Sequence, residues 1–381
     1  MEFEWPEELA TLRAEAAAFG REALGAGVED DDRAARFPAE KWRRLAEWGY
    51  FGLCVPAEYG GAARDPLTGL AVNEGLGEGC RDGGLLFSAA VQAWVVTPAL
   101  IKFATEEQLT RFLPRIADGT AIGAFAITEP DSGSDAFSMR TTATTVDGGW
   151  RLNGRKAFVT NGPIADLVVC FAATGKTGAL GGTTAFVIDR DTAGFHCEPA
   201  EEKMGLRTSP LGEIALNDAF VPDGNVLSKV GAGLTVFNEV LEWERIWPMA
   251  VQLGTLEREL EETRSYARER KAFGAPIAHN QSVSHRIVDM RVRLEASRLL
   301  LYRAAWLKAS GRPSLAESAI AKLCVSESAV SNSLDSVQVH GGYGYMAALG
   351  VERRLRDAVG GRIYSGTSEM QREIVARSMR L

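Results

Sequence analysis

A short run of small polar residues has the composition of an anion-binding turn. The segment is Ala124-Phe-Ala-Ile-Thr-Glu-Pro-Asp-Ser-Gly-Ser-Asp135. Its first residues are apolar and favour a β-strand, which Pro130, Ser132 and Gly133 then break into a turn. Because no bulky side chain covers the main chain there, backbone N–H groups and hydroxyls can face a bound anion. The same composition also suits a solvated acidic loop between two strands.

The bulk composition limits which ligands are expected. The chain has 381 residues, a net charge of −8 and 24% charged residues, which is typical of a globular protein with two or three packed units. The negative charge gives no general support for a nucleic-acid partner. We expect a reducing compartment and no metal site, because the cysteines lack CxxC spacing. They are Cys54, Cys80, Cys170, Cys197 and Cys324.

Neither a secretory signal nor a membrane span is expected. The N-terminal residues are acidic and lack the basic region of a signal peptide. The most apolar segment, Leu85 to Ile101, is interrupted by Gln92 and Pro98 and is shorter than the roughly 20 residues of a span. We therefore expect a buried helix there, no membrane partner and a cytoplasmic protein.

The order of sequence patterns predicts helices, then strands, then helices. Residues 6 to about 118 show helical spacing of apolar residues, and Thr105-Glu-Glu-Gln108 has the spacing of a capping box. Between 121 and about 220, short β-rich segments alternate with Gly or Asp turns, which indicates seven or eight strands in a barrel or sandwich. Long helical patterns follow, and Pro248 should kink the first of them.

Several sequence motifs, beginning with the turn at Thr128–Asp135, resemble motifs of the acyl-CoA dehydrogenase family. Thr128-Glu-Pro-Asp-Ser-Gly-Ser-Asp135 is similar to the flavin-contacting signature of that family, and Arg155-Lys-Ala-Phe-Val-Thr-Asn-Gly162 follows at the distance the family requires. Further similar phrases begin at Tyr266, His340 and Ile363. The resemblance extends over essentially the full length. It implies an α+β multidomain fold with an N-terminal α-helical domain (1–119), a middle β-barrel or sandwich domain (120–224) and a C-terminal four-helix-bundle domain (225–381).

The resemblance also implies a reaction, the α,β-dehydrogenation of an acyl thioester with FAD as cofactor. In the family, a carboxylate removes the α-proton while the β-hydrogen leaves as hydride to N5 of FAD. An α-C–H beside a thioester is a very weak acid. The reaction therefore needs a base in a dry site and donors on the carbonyl oxygen that stabilise enolate-like charge.

The resemblance gives two positions for that base. In many relatives it is a Glu directly before the Gly-Thr-Ser of the last motif, but here that position is Ser365, a poor base without an activator. The other position is on a long helix beside an arginine, where this chain has Glu244 next to Arg245. We expect Glu244 to be the base, as in the isovaleryl-type branch. Glu242 cannot share its helix face and is the weaker candidate.

The surroundings of Glu244 favour a raised pKa. Trp243, Ile246 and Trp247 would bury it on part of its circumference, and burial favours the neutral acid. Arg245 would act in the opposite direction if it faced the carboxylate. The alternative is an ordinary surface carboxylate on an acidic helix face.

By the same matching, the substrate carbonyl would be held by the backbone N–H of Ser365 and a ribityl hydroxyl of FAD. Ser134, Arg245 and Tyr364 would contact the substrate. The FAD-binding residues implied by the resemblance are Phe125, Ile127, Thr128, Ser134, Phe158, Val159, Thr160, Arg270, Phe273, Gln281, Gln338, Gly341, Gly342 and Thr367. In the family some of these residues come from a neighbouring subunit. A homotetramer or homodimer is therefore expected, together with an electron acceptor that is either an electron-transfer flavoprotein or O2.

Three other functions remain open at this point. Gly342-Tyr-Gly-Tyr-Met-Ala347 fits the dinucleotide fingerprint G-x-G-x-x-A if Val337 to His340 form a strand, which would suit a nicotinamide dehydrogenase. A flavin oxidase or monooxygenase of the same fold is a second alternative. The third is a catalytically inactive scaffold that binds flavin or acyl groups, because Ser365 replaces a carboxylate.

The acyl carrier is either CoA or a carrier protein. The segments Ser284–Met290 and Arg293–Tyr302 are similar to a branch that oxidises aminoacyl groups, such as prolyl, on carrier proteins in secondary metabolism. An acidic carrier protein would need a basic docking patch. Arg43, Arg44 or the cluster at residues 353–356 could supply one.

Overall fold

The computed structural model describes residues 5–175 and 181–381, and its elements follow the predicted order of helices, strands and helices. The N-terminal helices pack around α4, which is buried along most of its length. The predicted capping box is present at the start of α7, where Thr105 and Gln108 each bond the other's backbone N–H. The helices are α1 (Glu7–Leu24), α2 (Val28–Ala34), α3 (Ala39–Glu47), α4 (Pro66–Gly79), α5 (Gly83–Val91), α6 (Thr97–Phe103) and α7 (Glu106–Ala117).

Helices α5 and α6 form one continuous buried helix. A π-helical turn at Gln92–Val96 joins them, so this helix runs from Gly83 to Phe103. It is long and apolar enough to cross a membrane, but 83% of its most apolar window is buried inside the fold, as in the core helix of a soluble protein. The buried helix predicted for this segment is confirmed.

The middle part is a sheet whose central strand is buried on both faces. Alternate residues of β4 (Leu167–Ala173) enter two separate cores, with Val169 and Phe171 against the N-terminal helices and Val168 and Cys170 against the strands of the sheet itself. Such burial on both faces explains why β4 is apolar throughout. The strands are β1 (Gly123–Ala126), β2 (Thr142–Val146), β3 (Gly149–Thr160), β4 (Leu167–Ala173), β5 (Thr183–Asp189), β6 (Phe195–Cys197), β7 (Leu211–Pro222) and β8 (Val226–Leu227).

The sheet order is β6-β7-β3-β2-β4-β5-β8, and β1 pairs in parallel with β4. The longest pairing joins β3 to β7, and its register shifts between Lys156 and Val159. This register shift lies directly before the end of β3, where the motif Arg155–Gly162 is located.

The C-terminal part packs long helices on one another and on α4. Glycines allow the close approach of α9 to α4, since a Cβ on Gly254 would lie only 1.9 Å from the carbonyl oxygen of Glu74. The elements are α8 (Gly233–Glu244), α9 (Trp247–Glu269), β9 (Lys271–Ala272), β10 (Ala275–Pro276), α10 (Gln281–Ala309), α11 (Leu315–His340), α12 (Gly342–Tyr345), α13 (Val351–Gly360) and α14 (Ser368–Ser378).

Two sequence expectations need correction here. Pro248 does not kink a continuous helix, because α8 ends at Glu244 and Pro248 lies in the first turn of α9, where its missing N–H has no helical partner to lose. Residues Val337 to His340 form the last turn of α11 and not a strand. The nicotinamide alternative is therefore wrong, since its glycine motif follows a helix and lacks the βαβ context.

Candidate active site

Glu244 and Ser365 are in direct contact. Glu244 is the last residue of α8, and Ser365 lies in the turn between α13 and α14. The Ser365 hydroxyl donates a hydrogen bond to Glu244 Oε1 at 2.9 Å. The fold therefore brings together the two positions at which the sequence offered a catalytic carboxylate.

The electrostatic environment of Glu244 suits a base. Burial raises the pKa of its carboxyl, and this effect exceeds the opposing effects of the Ser365 hydrogen bond and of the charges on Arg245 and Lys322. The side chain is closely surrounded by protein but retains partial solvent access. A carboxylate at a helix C-terminus also faces the negative end of the helix dipole, which favours the neutral form further.

Arg245 is a buried cation without a close counter-ion. It is 5% exposed, and burial lowers the pKa of its guanidinium. Its Nε donates no hydrogen bond, and it forms no salt bridge with any residue in the described parts of the chain. The negative charges of Glu244 and Glu242 oppose this lowering of the Arg245 pKa.

The Ser365 turn has an unusual backbone. Ser365 and Gly366 both have positive φ, at 57° and 85°. Their carbonyls are fixed, because Gln371 Nε2 donates to Ser365 O at 3.2 Å and to Gly366 O at 2.7 Å. The backbone N–H of Ser365 donates to no acceptor among the described residues. This N–H is therefore free to donate to a ligand.

Tyr364 directly precedes Ser365, the residue that bonds Glu244. Its hydroxyl accepts a hydrogen bond from Gln252 Nε2 at 2.7 Å, and its ring packs on Phe87 with centroids 4.4 Å apart. Burial raises the pKa of the Tyr364 phenol, and the charge of Glu244 raises it further.

The two middle motifs, Thr128–Asp135 and Arg155–Gly162, meet at one end of the sheet. Ala157 N donates to the carbonyl of Thr128 at 2.8 Å, so the segment after β1 lies against the end of β3. Phe158 has φ of 54° and is 68% exposed, a rare state for an aromatic residue. The hydroxyls of Thr128 and Thr160 form no hydrogen bond with other described residues.

The family models account for nearly the whole chain. The model of the acyl-CoA dehydrogenase N-terminal domain matches residues 6–120, that of the middle domain matches 124–219 and that of the C-terminal domain matches 231–380. The chain belongs to the acyl-CoA dehydrogenase family. The fold predicted from the sequence resemblance is thereby confirmed.

Relatives within the family include carrier-protein enzymes. An L-prolyl-[peptidyl-carrier protein] dehydrogenase of Pseudomonas fluorescens is 42% identical over 347 residues, which is 91% of each chain. The crystal structure of the prolyl acyl carrier protein oxidase AnaB superposes with a TM-score of 0.97 at 38% identity and covers 99% of this chain and 100% of its own. A structure of PigA with FAD and proline has a TM-score of 0.97 at 36% identity over the full length of both chains. This acyl-CoA dehydrogenase family member is an FAD-dependent oxidoreductase that dehydrogenates acyl thioesters.

The residues at the end of β3 fit the flavin of FAD. An exposed aromatic ring and two hydroxyls without partners provide the stacking surface and the donors that a flat heteroaromatic group needs. Val159 and Ile127 are buried in the cores on either side, so their backbone is better placed than their side chains to contact a ligand. Phe125 packs against Phe171. Ser134 is exposed in the loop that follows β1.

Some of the residues matched to the ADP half of FAD lie around a cleft in the C-terminal part. Arg270, Gly341 and Gly342 line it together with His340 and Tyr343, and Arg270 lies 5.7 Å from the centre of the Tyr343 ring. A guanidinium beside exposed glycine backbone is suited to a pyrophosphate. None of the residues at the end of β3 lines this cleft.

Other residues matched to FAD are exposed or occupied locally. Gln281 and Gln338 are exposed, and Phe273 is fully exposed at the tip of the β9–β10 hairpin with φ of 51°. The Thr367 hydroxyl caps α14 by accepting from Met370 N at 3.3 Å. The protomer does not gather these residues into one pocket.

Sequence reasoning missed Lys322 and Gln371, which fix the Ser365 turn. Lys322 Nζ donates to Gly366 O at 2.7 Å. Both side chains are fully buried. Lys322 lies between Ser318, Val325 and Ala329 on the buried face of α11, so a lysine within an otherwise small or apolar stripe was the available signal.

Proposed function

We propose that Glu244 is the base that removes the α-proton of the acyl thioester, and that the N–H of Ser365 donates to the thioester carbonyl. The contact between Ser365 Oγ and Glu244 Oε1 carries this proposal, because it places the carboxylate beside the residue whose N–H is free. A base and an oxyanion donor on adjoining groups are what enolate formation requires.

The raised pKa of Glu244 increases its basicity toward a weak carbon acid. Lys322 and Gln371 fix the turn, so the Ser365 N–H needs little reorganisation when charge develops on the carbonyl oxygen. FAD, when bound, accepts the β-hydrogen as hydride. The structure thus supports a relocated base rather than an inactive scaffold.

We propose a small acyl group, with prolyl on a carrier protein as the favoured substrate and a short acyl-CoA as the alternative. Aromatic residues precede Ser365 and flank Glu244 along the chain, and their rings are closely packed. The rings of Trp243 and Trp247 stack at 4.2 Å, those of Trp247 and Trp94 at 5.5 Å, and Phe87 packs on Tyr364. We infer that these packed rings limit the length of acyl chain that the site accepts. Relatives named as prolyl-carrier enzymes support the same choice.

Of the two basic sites predicted to dock a carrier protein, the cluster at residues 353–356 is not supported. Arg353 and Arg354 are buried and paired with Glu29 and Glu262, so this cluster does not form a free basic patch. Arg43 is exposed and lies against Glu40 on the surface of α3. The α3 surface therefore remains the candidate of the two.

We also propose that the enzyme works as a homodimer or homotetramer. Phe273 is wholly exposed in a strained backbone conformation, which is explained if another subunit covers it. Helix α10 presents a second exposed apolar stripe with helical spacing, formed by Val288, Val292, Leu299 and Trp306. A second copy of the chain could bury both features and complete the set of residues matched to FAD.

We propose that the protein is cytoplasmic and that its three domains comprise residues 1–119, 120–224 and 225–381. The acceptor is an electron-transfer flavoprotein or O2, and the similarity to the oxidase AnaB favours testing O2 first. Peroxide release without an added acceptor identifies the oxidase.

The proposed substrate is tested with the purified FAD-bound enzyme under anaerobic conditions. L-prolyl carrier protein, butyryl-CoA and octanoyl-CoA are added separately, and the flavin absorbance is followed. We expect rapid bleaching with the prolyl carrier protein, slower bleaching with butyryl-CoA and none with octanoyl-CoA. Equal bleaching by octanoyl-CoA would show that the aromatic walls do not limit the acyl group.

A further inference from the structure

Lys322 is a buried cation that bonds the turn in contact with the proposed base. Its side chain has no solvent exposure, and its ammonium donates to one protein atom in the described residues, the Gly366 carbonyl oxygen at 2.7 Å. An ammonium has three N–H donors and is expensive to bury without a counter-ion. No salt bridge involving Lys322 is present in residues 5–175 and 181–381.

The contact with Gly366 holds the turn that carries Ser365. Gly366 O accepts from both Lys322 and Gln371, and Ser365 O accepts from Gln371 as well. These bonds oppose the relaxation of a serine held at a positive φ of 57°. They therefore orient both the free N–H of Ser365 and the hydroxyl that bonds Glu244.

The charged groups around Lys322 come from several elements. Glu244 acts on it most strongly, followed by Arg245, Glu327 and Glu369. Glu327 is already bonded to Arg362 and Ser368. Glu244 is thus the carboxylate whose charge state is most closely linked to that of Lys322.

We propose that Lys322 is a positioning residue for the reaction. Its ammonium fixes the Ser365–Gly366 backbone for carbonyl binding, and its positive charge stabilises the ionised form of Glu244. This inference rests on the proposed role of Glu244 as base. Lys322 would therefore act on the active site, whereas its neighbours on the buried face of α11, Ser318, Val325 and Ala329, only pack there.

The proposal predicts a bell-shaped pH dependence. Burial lowers the pKa of Lys322 to about 8, while burial raises the pKa of Glu244. The rate should rise with pH as Glu244 loses its proton and fall again as Lys322 loses its own. The alkaline limb therefore reports Lys322, whereas the acid limb reports Glu244 under the influence of the lysine charge.

The test compares Lys322→Met, Lys322→Arg and wild type as FAD-bound enzymes. The rate of anaerobic flavin bleaching by L-prolyl carrier protein is measured from about pH 5.5 to about pH 9.5. Lys322→Met should slow bleaching about 10-fold at neutral pH and move the acid limb up by about one pH unit. Lys322→Arg should restore the acid limb and abolish the alkaline limb, since a guanidinium does not titrate in this range.

A second readout does not depend on turnover. The infrared carbonyl band of protonated Glu244 is identified as the band that Glu244→Gln removes, and its titration midpoint should rise in Lys322→Met. Lys203 provides the matched control, because burial also lowers its pKa to about 8 but its charged neighbours are Asp357, Arg207 and Asp32. Lys203→Met should leave the Glu244 band and the acid limb in place.

The proposal is overturned if Lys322→Met binds FAD and leaves both the acid limb and the Glu244 band unchanged. It is also overturned if Lys322→Arg retains the alkaline limb, an outcome that remains measurable should the Met variant fail to fold. Bleaching of Glu244→Gln at the wild-type rate would instead contradict the assignment of the base.

Discussion

Ser365 donates its hydroxyl to Glu244 Oε1 at 2.9 Å. The serine occupies the position where many family members carry the catalytic glutamate, and its partner is the glutamate on the helix. In our proposal the helix supplies the catalytic carboxylate across this contact, while the Ser365 N–H is free to hold the substrate carbonyl.

Ser365→Ala should shift the pH dependence without abolishing the reaction. The substitution removes a hydrogen bond that lowers the pKa of Glu244 but retains the backbone N–H. The acid limb of the bleaching rate should therefore move to higher pH, and the rate at its optimum should change by less than about 10-fold. Stopped-flow absorbance across the pH range measures both. A loss of more than 100-fold at every pH would mean that the hydroxyl itself takes part in the chemistry.

Glu244→Gln should stabilise the fold at neutral pH. Burial raises the folded-state pKa of Glu244 above its unfolded value, so the wild type loses stability as the pH rises through these values. The neutral amide carries no such cost. Its thermal unfolding midpoint should exceed that of wild type at pH 7.5, and the gain should shrink toward pH 5.

Glu242→Gln is the control for this stability measurement. Glu242 lies on the same helix but accepts hydrogen bonds from Lys308 at 3.2 Å and Ser314 at 2.7 Å. Loss of this pairing should leave the unfolding midpoint unchanged or lower it. A higher midpoint for Glu242→Gln at pH 7.5 would show that the effect is not specific to the buried site.

Phe87→Ala should widen the range of acyl groups. The Phe87 ring packs on Tyr364 next to the Ser365 turn, so its removal opens space beside the proposed acyl site. Bleaching by hexanoyl-CoA or octanoyl-CoA should increase at least several-fold. Stability should fall by less than the ~3–5 kcal/mol typical of fully buried phenylalanines, because Phe87 is only partly buried. An unchanged acyl-chain profile would place the acyl group elsewhere.

Phe273→Asp should weaken both assembly and FAD retention. Phe273 is fully exposed in the single chain, and a charge at this position should oppose its burial by a second copy. Sedimentation velocity should show a smaller species that loses FAD on dilution. Val230→Asp, at an exposed apolar residue before α8, is the comparison variant and should keep the wild-type species and its FAD. A wild-type species for Phe273→Asp with full FAD content would exclude this residue from the interface.

Much of the fold followed from local sequence signals. The capping box at Thr105, the strand-rich middle part and the buried helix after Gly83 are all present in the structure. Pro248 was misjudged, because the sequence pattern does not reveal that α8 ends at Glu244 and that the proline opens a new helix. Helix limits depend on tertiary packing, and local spacing records that packing only in part.

The site was predictable at the level of motifs but not of contacts. The sequence indicates both Glu244 and Ser365, yet they are 121 positions apart and only the fold shows that they touch. Lys322 and Gln371 were missed because their roles arise from carbonyl groups of a distant turn. The basic run at residues 353–356 gave the wrong expectation of a free patch, since its charges are neutralised by carboxylates from other elements.

Stopped-flow flavin bleaching shows whether Glu244 takes the α-proton. Wild type, Glu244→Gln and Glu242→Gln, all with FAD bound, are mixed anaerobically with L-prolyl carrier protein at pH 7.5, and flavin bleaching is followed by stopped flow. We predict that Glu244→Gln retains FAD but bleaches about 10²–10⁴-fold more slowly, while Glu242→Gln stays within a few-fold of wild type. Bleaching of Glu244→Gln at the wild-type rate would show that another group takes the α-proton.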